Sequence, residues 1–321
     1  MAEIDRSLLV KIARQYYLEE MPLRQIAGKL NISITSVSRL LARARHEGLV
    51  EIRIHDTDPG FRELEMRIES VFGLKECTLV RFSENTESMY ADIAQAVGQV
   101  FRRHLKNRTY LGVSWGETLK AVGQYLKIGG LSHVRVVPII GAMGMIETGI
   151  YANSIAKSFA ERLGGVSYLV NPPAILGSKR VKNSVSNDTN FFKVKSLWNR
   201  IDVALLSVSG LDAEASIARC GMFSSEELTY LRSLGVVCAT NFNMIDENGQ
   251  EVTNRVSDRI INMDLPQLRK ARIVILAACG TKKEQAVAAA LRGKIADILI
   301  TDNKTAEHLV RHEGAAALEA R

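Results

Sequence analysis

Three short segments combine glycine with small polar residues, a composition that presents backbone amides to a bound anion. They are residues 114–118, 141–144 and 278–283. Backbone N–H groups at the start of a helix attract phosphate, and Lys283 adds a positive charge. The residues of these segments that we predict to contact such a ligand are Ser114, Trp115, Gly116, Thr118, Gly141, Ala142, Met143, Gly144, Gly280 and Lys283.

Turns that bind nothing are the alternative interpretation of each segment. Glycine, serine and threonine are common between a strand and a helix for backbone reasons alone. Trp115 and Met143 also suit an apolar core, and Lys282 is better interpreted as a solvated neighbour than as a ligand. The occurrence of three such segments in one chain favours an anion site.

A second group of polar and basic side chains suits contacts with DNA. The stretch from Ile34 to about Glu47 carries hydroxyl and arginine side chains and has no acidic residue before Glu47. When such a helix lies in the major groove, its N-terminal side chains contact base edges and its arginines contact guanine or phosphate. We assign Arg43 to phosphate. The residues that we predict to contact DNA are Gln25, Ser33, Thr35, Ser36, Ser38, Arg39 and Arg43.

The elements that position this second group are three blocks of apolar residues at helical spacing. Their approximate bounds are 8–17, 23–30 and 34–47. Pro22 suits the start of the second helix, Ser33 or Thr35 can cap the third, and Gly48 ends it before a short strand at 49–54. The pattern is typical of a helix-turn-helix, and its alternative is a three-helix packing module with a solvated basic face.

A polar linker at 55–60 separates this all-α domain, residues 1–54, from a larger domain at 61–321. In the larger domain apolar strands alternate with amphipathic helices. The predicted strands are 77–80, 109–113, 134–140, 167–170, 203–208, 236–240, 273–277 and 298–301, and the predicted helices include 89–105, 118–126, 150–163, 226–234, 283–291 and 305–311. This alternation predicts a Rossmann-like α/β domain with a mostly parallel sheet, in which ligands bind beyond the carboxyl ends of the strands.

Charge and cysteine content restrict the class of protein. The 321 residues carry a formal net charge of +7, and residues 1–55 hold nine Lys or Arg against six Asp or Glu, so basic charge is densest near the N-terminus. The four cysteines are far apart and form no Cys-x-x-Cys pair, which indicates reduced thiols and no zinc. No apolar run approaches the roughly 18 residues of a membrane span. We expect a soluble cytoplasmic protein with a polyanionic partner and no cofactor.

Several motifs in order along nearly the whole chain resemble the SorC family of sugar-responsive bacterial regulators, whose effector domain is related to those of the deoxyribonucleoside and central glycolytic gene regulators. In the N-terminal domain the motif is Gln25-Ile26-Ala27-x-x-Leu30-x-Ile32-Ser33-x-x-x-Val37-Ser38-Arg39-x-Leu41. In the larger domain the motifs include Gly112-Val113-Ser114-Trp115-Gly116-x-Thr118-Leu119, Val137-Pro138-Ile139-Ile140-Gly141, Gly280-Thr281-Lys282-Lys283 and Asp297-Ile298-Leu299-Ile300-Thr301-Asp302.

The resemblance implies a function and a fold. It implies a homotetrameric regulator that binds the operator DNA of a carbohydrate or polyol catabolic operon. Members of the family include both repressors and activators, and we expect a repressor. The resemblance also implies an effector domain akin to sugar-phosphate isomerases, with a phosphorylated sugar or polyol as the ligand. Carried over by position, residues 114–118 and 141–144 line the pocket and Lys283 contacts the phosphate.

Two departures from the family pattern concern the pocket. Cys279-Gly280 stands where the family usually has Gly-Gly before the lysine. The Cys279 side chain leaves less room for a ligand to approach the first of these two positions. Residues 238–249 also lack the family's Gly-Asp followed by an aromatic-Asp-x-x-Gly phrase. One wall of the pocket is therefore altered, which indicates a ligand that differs from those common in the family.

Two other functions fit the pattern less well. An isomerase or aminohydrolase needs a positioned base near the anion site, and we expect the six histidines to lie in helices, the linker or segments remote from the candidate loops. Asp202 opens a strand and Asp302 belongs to a helix-capping turn, so both are interpreted as structural. An architectural DNA binder has no use for a pocketed domain of this size. We therefore expect no enzyme.

Overall fold

A computed structural model describes residues 6–19, 21–50, 59–143 and 151–319 of the chain. Contacts between Cα atoms divide the chain into two units, Met1–Asp58 and Pro59–Arg321. The predicted strand at 49–54 and the predicted linker at 55–60 fall mainly on residues 51–58, which lie outside the described residues.

Three helices build the N-terminal unit, at α1 (Arg6–Tyr17), α2 (Leu23–Leu30) and α3 (Ile34–His46), close to their predicted bounds. Asn31 ends α2 with a left-handed φ of 53°, a conformation that asparagine tolerates well. The Ser36 backbone N–H donates to Ser33 Oγ at 3.0 Å, so Ser33 rather than Thr35 caps α3. One apolar core joins the three helices; its buried members are Leu9, Ile12, Ala13, Ile26, Ala27, Val37, Leu41 and Ala44.

Strands and helices alternate through the C-terminal unit. The strands are β1 (Glu76–Val80), β2 (Tyr110–Val113), β3 (Arg135–Pro138), β4 (Val166–Ser167), β5 (Val203–Leu206), β6 (Val208–Ser209), β7 (Val236–Thr240), β8 (Asn243–Asp246), β9 (Ile273–Ala277) and β10 (Ile298–Asp302). The helices are α4 (Pro59–Phe72), α5 (Thr86–His104), α6 (Glu117–Tyr125), α7 (Ala152–Arg162), α8 (Lys179–Ser186), α9 (Thr189–Lys195), α10 (Ser216–Arg219), α11 (Ser225–Ser233), α12 (Leu265–Leu268), α13 (Glu284–Arg292) and α14 (Asn303–Glu319). Within the described ranges, no helix combines the length and the apolar character needed to cross a membrane.

A seven-stranded sheet forms the centre of this unit, with the order β1-β10-β9-β5-β2-β3-β4 and parallel pairing throughout. Both of its faces are buried, because successive side chains point to opposite faces: Val203 and Leu205 belong to one core cluster, Ala204 and Leu206 to the other. Helices α5, α6 and α7 cover the first face, and α4, α13 and α14 cover the second. The predicted doubly wound parallel sheet is confirmed.

A second, antiparallel sheet of three strands, β6-β7-β8, was not predicted. The predicted strand at 203–208 is two strands, because the chain leaves the main sheet after Leu206 and pairs with β7 from Val208. Asn241 and Phe242 join β7 to β8 with left-handed φ values of 51° and 59°. Such a two-residue turn usually contains glycine, so the hairpin lacked its usual sequence signal.

Candidate functional site

Three adjacent strands end at the candidate site. Because β9, β5 and β2 are parallel neighbours, the segments that follow them meet at one edge of the sheet. Residues 114–116 follow β2, Ser207 follows β5, and residues 278–283 follow β9. Two of the three predicted ligand segments are therefore brought together.

The segment after β2 leads into α6, a helix whose N-terminus is not capped by any side chain. Gly116 is the N-cap residue of α6, with a φ of 118° that strongly favours glycine, and no side chain caps the first turn. Uncapped first-turn amides carry the positive end of the helix dipole, which attracts anions. Thr118 lies in this first turn, fully buried.

The segment after β9 is held by a carboxylate from the neighbouring strand. Gly280 adopts a φ of 96°, and its backbone N–H donates to Asp302 Oδ2 at 2.7 Å. Asp302 also accepts from the backbone N–H and the hydroxyl of Thr305, at 3.0 and 2.8 Å. The structural interpretation of Asp302 is confirmed, and Asp302 additionally fixes the turn that leads to Lys283.

Lys283 joins the two segments. Its Nζ donates to Thr118 Oγ1 at 2.9 Å, and the side chain is partly buried. Desolvation lowers the pKa of Lys283, against the opposing effects of Cys279 and Glu117. An ammonium group removed from water in this way gains more from a bound anion than a solvated lysine does.

Two cavities that share wall residues adjoin Lys283. The inner cavity measures about 10 Å³ and has Ser207 and Asn241 in its wall; the outer cavity measures about 260 Å³. Both share the residues Glu117, Ser209, Ser216 and Lys283. The inner cavity has room for roughly one water molecule, so a larger ligand that reaches Ser207 has to displace part of the wall.

Residues 210–219, which include α10, form that wall. Two ion pairs link it to the rest of the site, Glu214 with Lys282 and Arg219 with Glu117, the second at 3.4 Å, and its buried residues Leu211 and Ile217 pack in the core cluster that contains Trp115. Both pairs involve largely solvated side chains, and such pairs stabilise a conformation only weakly. The exposed ion pairs therefore hold the outer side of this wall weakly, whereas Leu211 and Ile217 fix its inner side in the core.

Comparison with protein families gives a match to the sugar-binding domain family over residues 59–311. The sorbitol operon regulator of Klebsiella pneumoniae is 31% identical over 314 residues, which cover 96% of this chain and 98% of the regulator. The chain belongs to the SorC family of sugar-responsive bacterial transcriptional regulators. A further relative, the deoxyribonucleoside regulator of Bacillus subtilis (strain 168), is 30% identical over 309 residues, covering 95% of this chain and 97% of that protein.

A solved SorC-family structure gives the same result for the fold. The crystal structure of the full-length sorbitol operon regulator SorC from Klebsiella pneumoniae matches with a TM-score of 0.73 and 32% sequence identity. The match covers 95% of this chain and 98% of that chain. The SorC-like architecture therefore extends over both units.

The residues predicted from the first segment of this SorC-family chain lie around the inner cavity. Trp115 and Gly116 line it. Ser114 is buried beside it and donates from its hydroxyl to Asn241 Oδ1 at 2.8 Å. The Trp115 ring packs edge-on against Phe242 at 4.8 Å, so it belongs to the core and to the cavity wall at once.

The prediction of free amides in the 141–144 segment is wrong for its first two residues. Gly141 N–H donates to the Ile261 carbonyl at 2.8 Å, and Ala142 N–H donates to the Pro172 carbonyl at 2.7 Å. Glycine is needed at 141 for packing, because a Cβ there would lie 2.6 Å from the Ala174 backbone. Met143 is buried in the core beside Trp115, and neither it nor Gly141 and Ala142 lines the two cavities. Gly144 lies outside the described residues.

His308 and His312 lie in a helix, α14, as expected for the histidines, and they are near the third candidate segment. His308 Nδ1 lies 2.8 Å from Glu284 Oε2, at the start of α13. The His308 and His312 rings are 4.2 Å apart and line a separate cleft with Thr281 and Lys282. The described part of the chain contains no group of three His, Cys, Asp or Glu side chains that could hold a metal ion.

The side chains predicted for DNA lie on the outer face of the N-terminal unit. Those that are exposed are Gln25, Ser33, Thr35, Ser38, Arg39 and Arg43, whereas Ser36 is half-buried. Three of these residues have partners in or next to α3: Arg43 Nε lies 2.5 Å from Glu47 Oε1, and the hydroxyls of Ser33 and Ser36 are 2.8 Å apart. Arg39 and its exposed neighbours form the face available to a groove.

The residues that the sequence analysis missed come mainly from the segment after β5 and from the β7–β8 turn. Ser207 was hidden because it lies within the apolar run at 203–208, which predicted a single strand, and Ser209 directly follows that run. The signal that identifies Ser207 is its place directly after a buried central strand, where ligands bind in parallel sheets. Tyr90 of α5 lines the outer cavity, and burial raises its pKa to about 12, so its hydroxyl stays protonated.

Proposed function

We propose that this protein is a repressor of a carbohydrate or polyol catabolic operon, controlled by a phosphorylated sugar or polyol. The helix-turn-helix of residues 1–54 binds operator DNA, residues 55–60 link it to the rest, and residues 61–321 bind the effector and form a homotetramer. The names of the relatives, regulators of a sorbitol operon and of deoxyribonucleosides, support the ligand class. We place this function in the cytoplasm and assign no enzymatic activity to the chain.

One observation carries the phosphate part of this proposal: the desolvated Lys283 ammonium lies against Thr118 Oγ1 in the uncapped first turn of α6. A phosphate at this point receives a charged hydrogen bond from Lys283 and dipole stabilisation from the helix. Serine and tyrosine side chains in the outer cavity suit the hydroxyls of a sugar or polyol. This arrangement needs neither a nucleophile nor a general base.

A thermal-shift experiment tests the phosphate site. The probes are sorbitol 6-phosphate, 2-deoxyribose 5-phosphate and inorganic phosphate, each compared with the unphosphorylated polyol or sugar. We expect a phosphorylated probe to raise the melting temperature of the wild type, because a ligand that binds only the folded state stabilises it by its occupancy. Lys283→Ala is expected to remove the shift. Lys157→Ala is the matched control, since the Lys157 side chain is solvated and lines neither cavity, and it is expected to retain the full shift.

Operator binding separates loss of the effector site from loss of the fold. We expect Lys283→Ala to bind operator DNA as tightly as the wild type does, while no longer responding to the probe. A wild-type shift that Lys283→Ala retains in full would remove Lys283 from the site. The absence of any shift with phosphorylated probes would refute the proposed ligand class.

A further inference from the structure

We propose that Ser207 is a ligand-binding residue, whose hydroxyl bonds to a hydroxyl of the sugar or polyol when the phosphate lies at Lys283. The inference deepens the proposed function and rests on it. Ser207 connects β5 to β6 and lines the inner cavity together with Lys283.

The Ser207 hydroxyl is buried without a partner. The residue is 8% exposed, and its Oγ has no hydrogen-bonding atom within reach among the described parts of the protein. Burying a hydroxyl without a hydrogen bond costs free energy, so natural proteins rarely retain one without a reason. A ligand oxygen in the inner cavity supplies the missing bond.

Neighbouring hydroxyls differ from Ser207 because the protein itself already engages them. Ser114 donates to Asn241, and Ser209 donates to the Gly210 carbonyl at 2.9 Å and accepts from the Ile217 N–H at 3.2 Å. Thr118 accepts from Lys283. These hydroxyls hold the walls of the site together, whereas Ser207 retains both its donor and its acceptor capacity.

The backbone of Ser207 is fixed, so its hydroxyl is held in place. The Ser207 carbonyl accepts a hydrogen bond from Thr240 Oγ1 at 3.0 Å, and its two neighbours, Leu206 and Val208, pair with different sheets. A hydroxyl both donates and accepts, which matches another hydroxyl, whereas a phosphate dianion offers acceptors only. Ser207 therefore suits the polyol part of the ligand, and Lys283 suits the phosphate.

The test compares Ser207→Ala with Thr301→Val in the full-length protein. Thr301 is fully buried, has an equally unpartnered hydroxyl and lines neither cavity, which makes it the matched control. Removal of an unsatisfied buried hydroxyl is expected to leave the ligand-free melting temperature of both variants equal to or above that of the wild type. A structural role for Ser207 would lower it instead.

Calorimetry then gives the affinities for sorbitol 6-phosphate or 2-deoxyribose 5-phosphate, whichever binds the wild type more tightly, and for inorganic phosphate. We expect Ser207→Ala to lower the affinity for the organic phosphate by at least about tenfold and to bind inorganic phosphate as tightly as the wild type does. Thr301→Val is expected to change neither affinity. Should Ser207→Ala fold poorly, Ser207→Cys, which is similar in size and a weak donor, replaces it and is expected to show the same loss.

Failure of this inference is distinguishable from failure of the proposed function. If the wild type binds the organic phosphate and Ser207→Ala binds it equally well, Ser207 is not a ligand-binding residue, although the phosphate site at Lys283 stands. If Ser207→Ala lowers the affinity for inorganic phosphate to the same extent, the assignment of Ser207 to a polyol hydroxyl is overturned. If the wild type binds none of the phosphorylated probes, the proposed function and this inference fall together.

Discussion

Lys283 and Thr118 come from two segments that follow different strands, yet a 2.9 Å hydrogen bond joins their side chains. Desolvation lowers the pKa of Lys283, and Cys279 and Glu117 only partly oppose it. A phosphate dianion placed beside Lys283 favours its charged form and raises this pKa again. Ligand binding at this residue is therefore linked to proton uptake.

The sign of the resulting pH dependence follows from that linkage. A group whose pKa rises on binding takes up a proton, so affinity falls as the pH rises through the pKa of the free protein towards 10.5, the ordinary lysine value. The phosphate itself is already a dianion well above its second pKa of about 6 and adds no titration in this range. We expect calorimetry of sorbitol 6-phosphate in buffers of different ionisation enthalpy to reveal net proton uptake.

Lys283→Arg provides the control for this prediction. Guanidinium stays protonated throughout the range, so a variant that still binds phosphate should lose the proton uptake and the decline in affinity. Equal proton uptake by the wild type and Lys283→Arg would assign the linked proton to another group.

At the residue scale, a charged residue or a glycine in a strand-to-helix segment could be predicted as a site residue, whereas a serine inside an apolar run could not. Lys283, Gly116 and Thr118 were identified because a lysine, a glycine and a hydroxyl residue between a strand and a helix indicate an anion site. Gly141 occurs in a similar sequence context, but glycine is required there because the backbone of Ala174, distant in sequence, packs closely against it. Ser207 was hidden in an apolar run. Local composition does not distinguish a ligand-facing glycine from a packed one.

At the scale of elements, Asp302 connects two strand-to-helix segments of the sheet. Its carboxylate, fully buried at the end of β10, accepts from Gly280 before α13 and from Thr305 in α14. Such a carboxylate holds the turn before α13 in place, and that turn positions Lys283. Sequence reasoning identified the capping part of this role, because the β10-to-α14 cap is local, but not the bond to Gly280.

We predict that Asp302→Ala lowers the free energy of unfolding of the C-terminal unit by about 2–4 kcal/mol, because the two buried donors of Thr305 and the half-buried N–H of Gly280 lose their acceptor, at about 1–3 kcal/mol for each fully buried donor. Asp302→Asn retains one acceptor oxygen and should lose less. Tryptophan fluorescence during urea unfolding gives the measurement, since Trp115 and Trp198 both lie in the C-terminal unit and report on it alone. A loss below about 1 kcal/mol in Asp302→Ala would contradict the role assigned to the carboxylate.

At the scale of the whole molecule, alternation of strands and helices was enough to predict the parallel sheet, since burial on both faces produces continuous apolar runs. The three-stranded antiparallel sheet was missed, because its hairpin turn uses Asn241 and Phe242 without glycine. That sheet supplies Asn241 and Ala239 to the inner cavity. The half of the pocket built by the regular alternation was therefore predictable, and the half built by the hairpin was not.

Regulation by an effector requires that the sites for DNA and for the sugar phosphate be coupled, and coupling between two binding equilibria is reciprocal. If sorbitol 6-phosphate changes operator affinity by some factor, operator DNA must change the affinity for sorbitol 6-phosphate by the same factor. We expect this factor to lie in the range of about 5 to 150, typical of allosteric proteins. For a repressor released by its effector, both affinities fall.

Two titrations measure that factor independently. Fluorescence anisotropy of a duplex selected by the wild type from a random pool gives operator affinity with and without sorbitol 6-phosphate, and calorimetry gives ligand affinity with and without the duplex. Arg39→Ala, on the exposed face of α3, is expected to weaken operator binding and to retain the affinity for sorbitol 6-phosphate in the absence of DNA. Ligand binding by the wild type that leaves operator affinity unchanged would show two uncoupled sites, and a chain with uncoupled sites does not regulate by linkage.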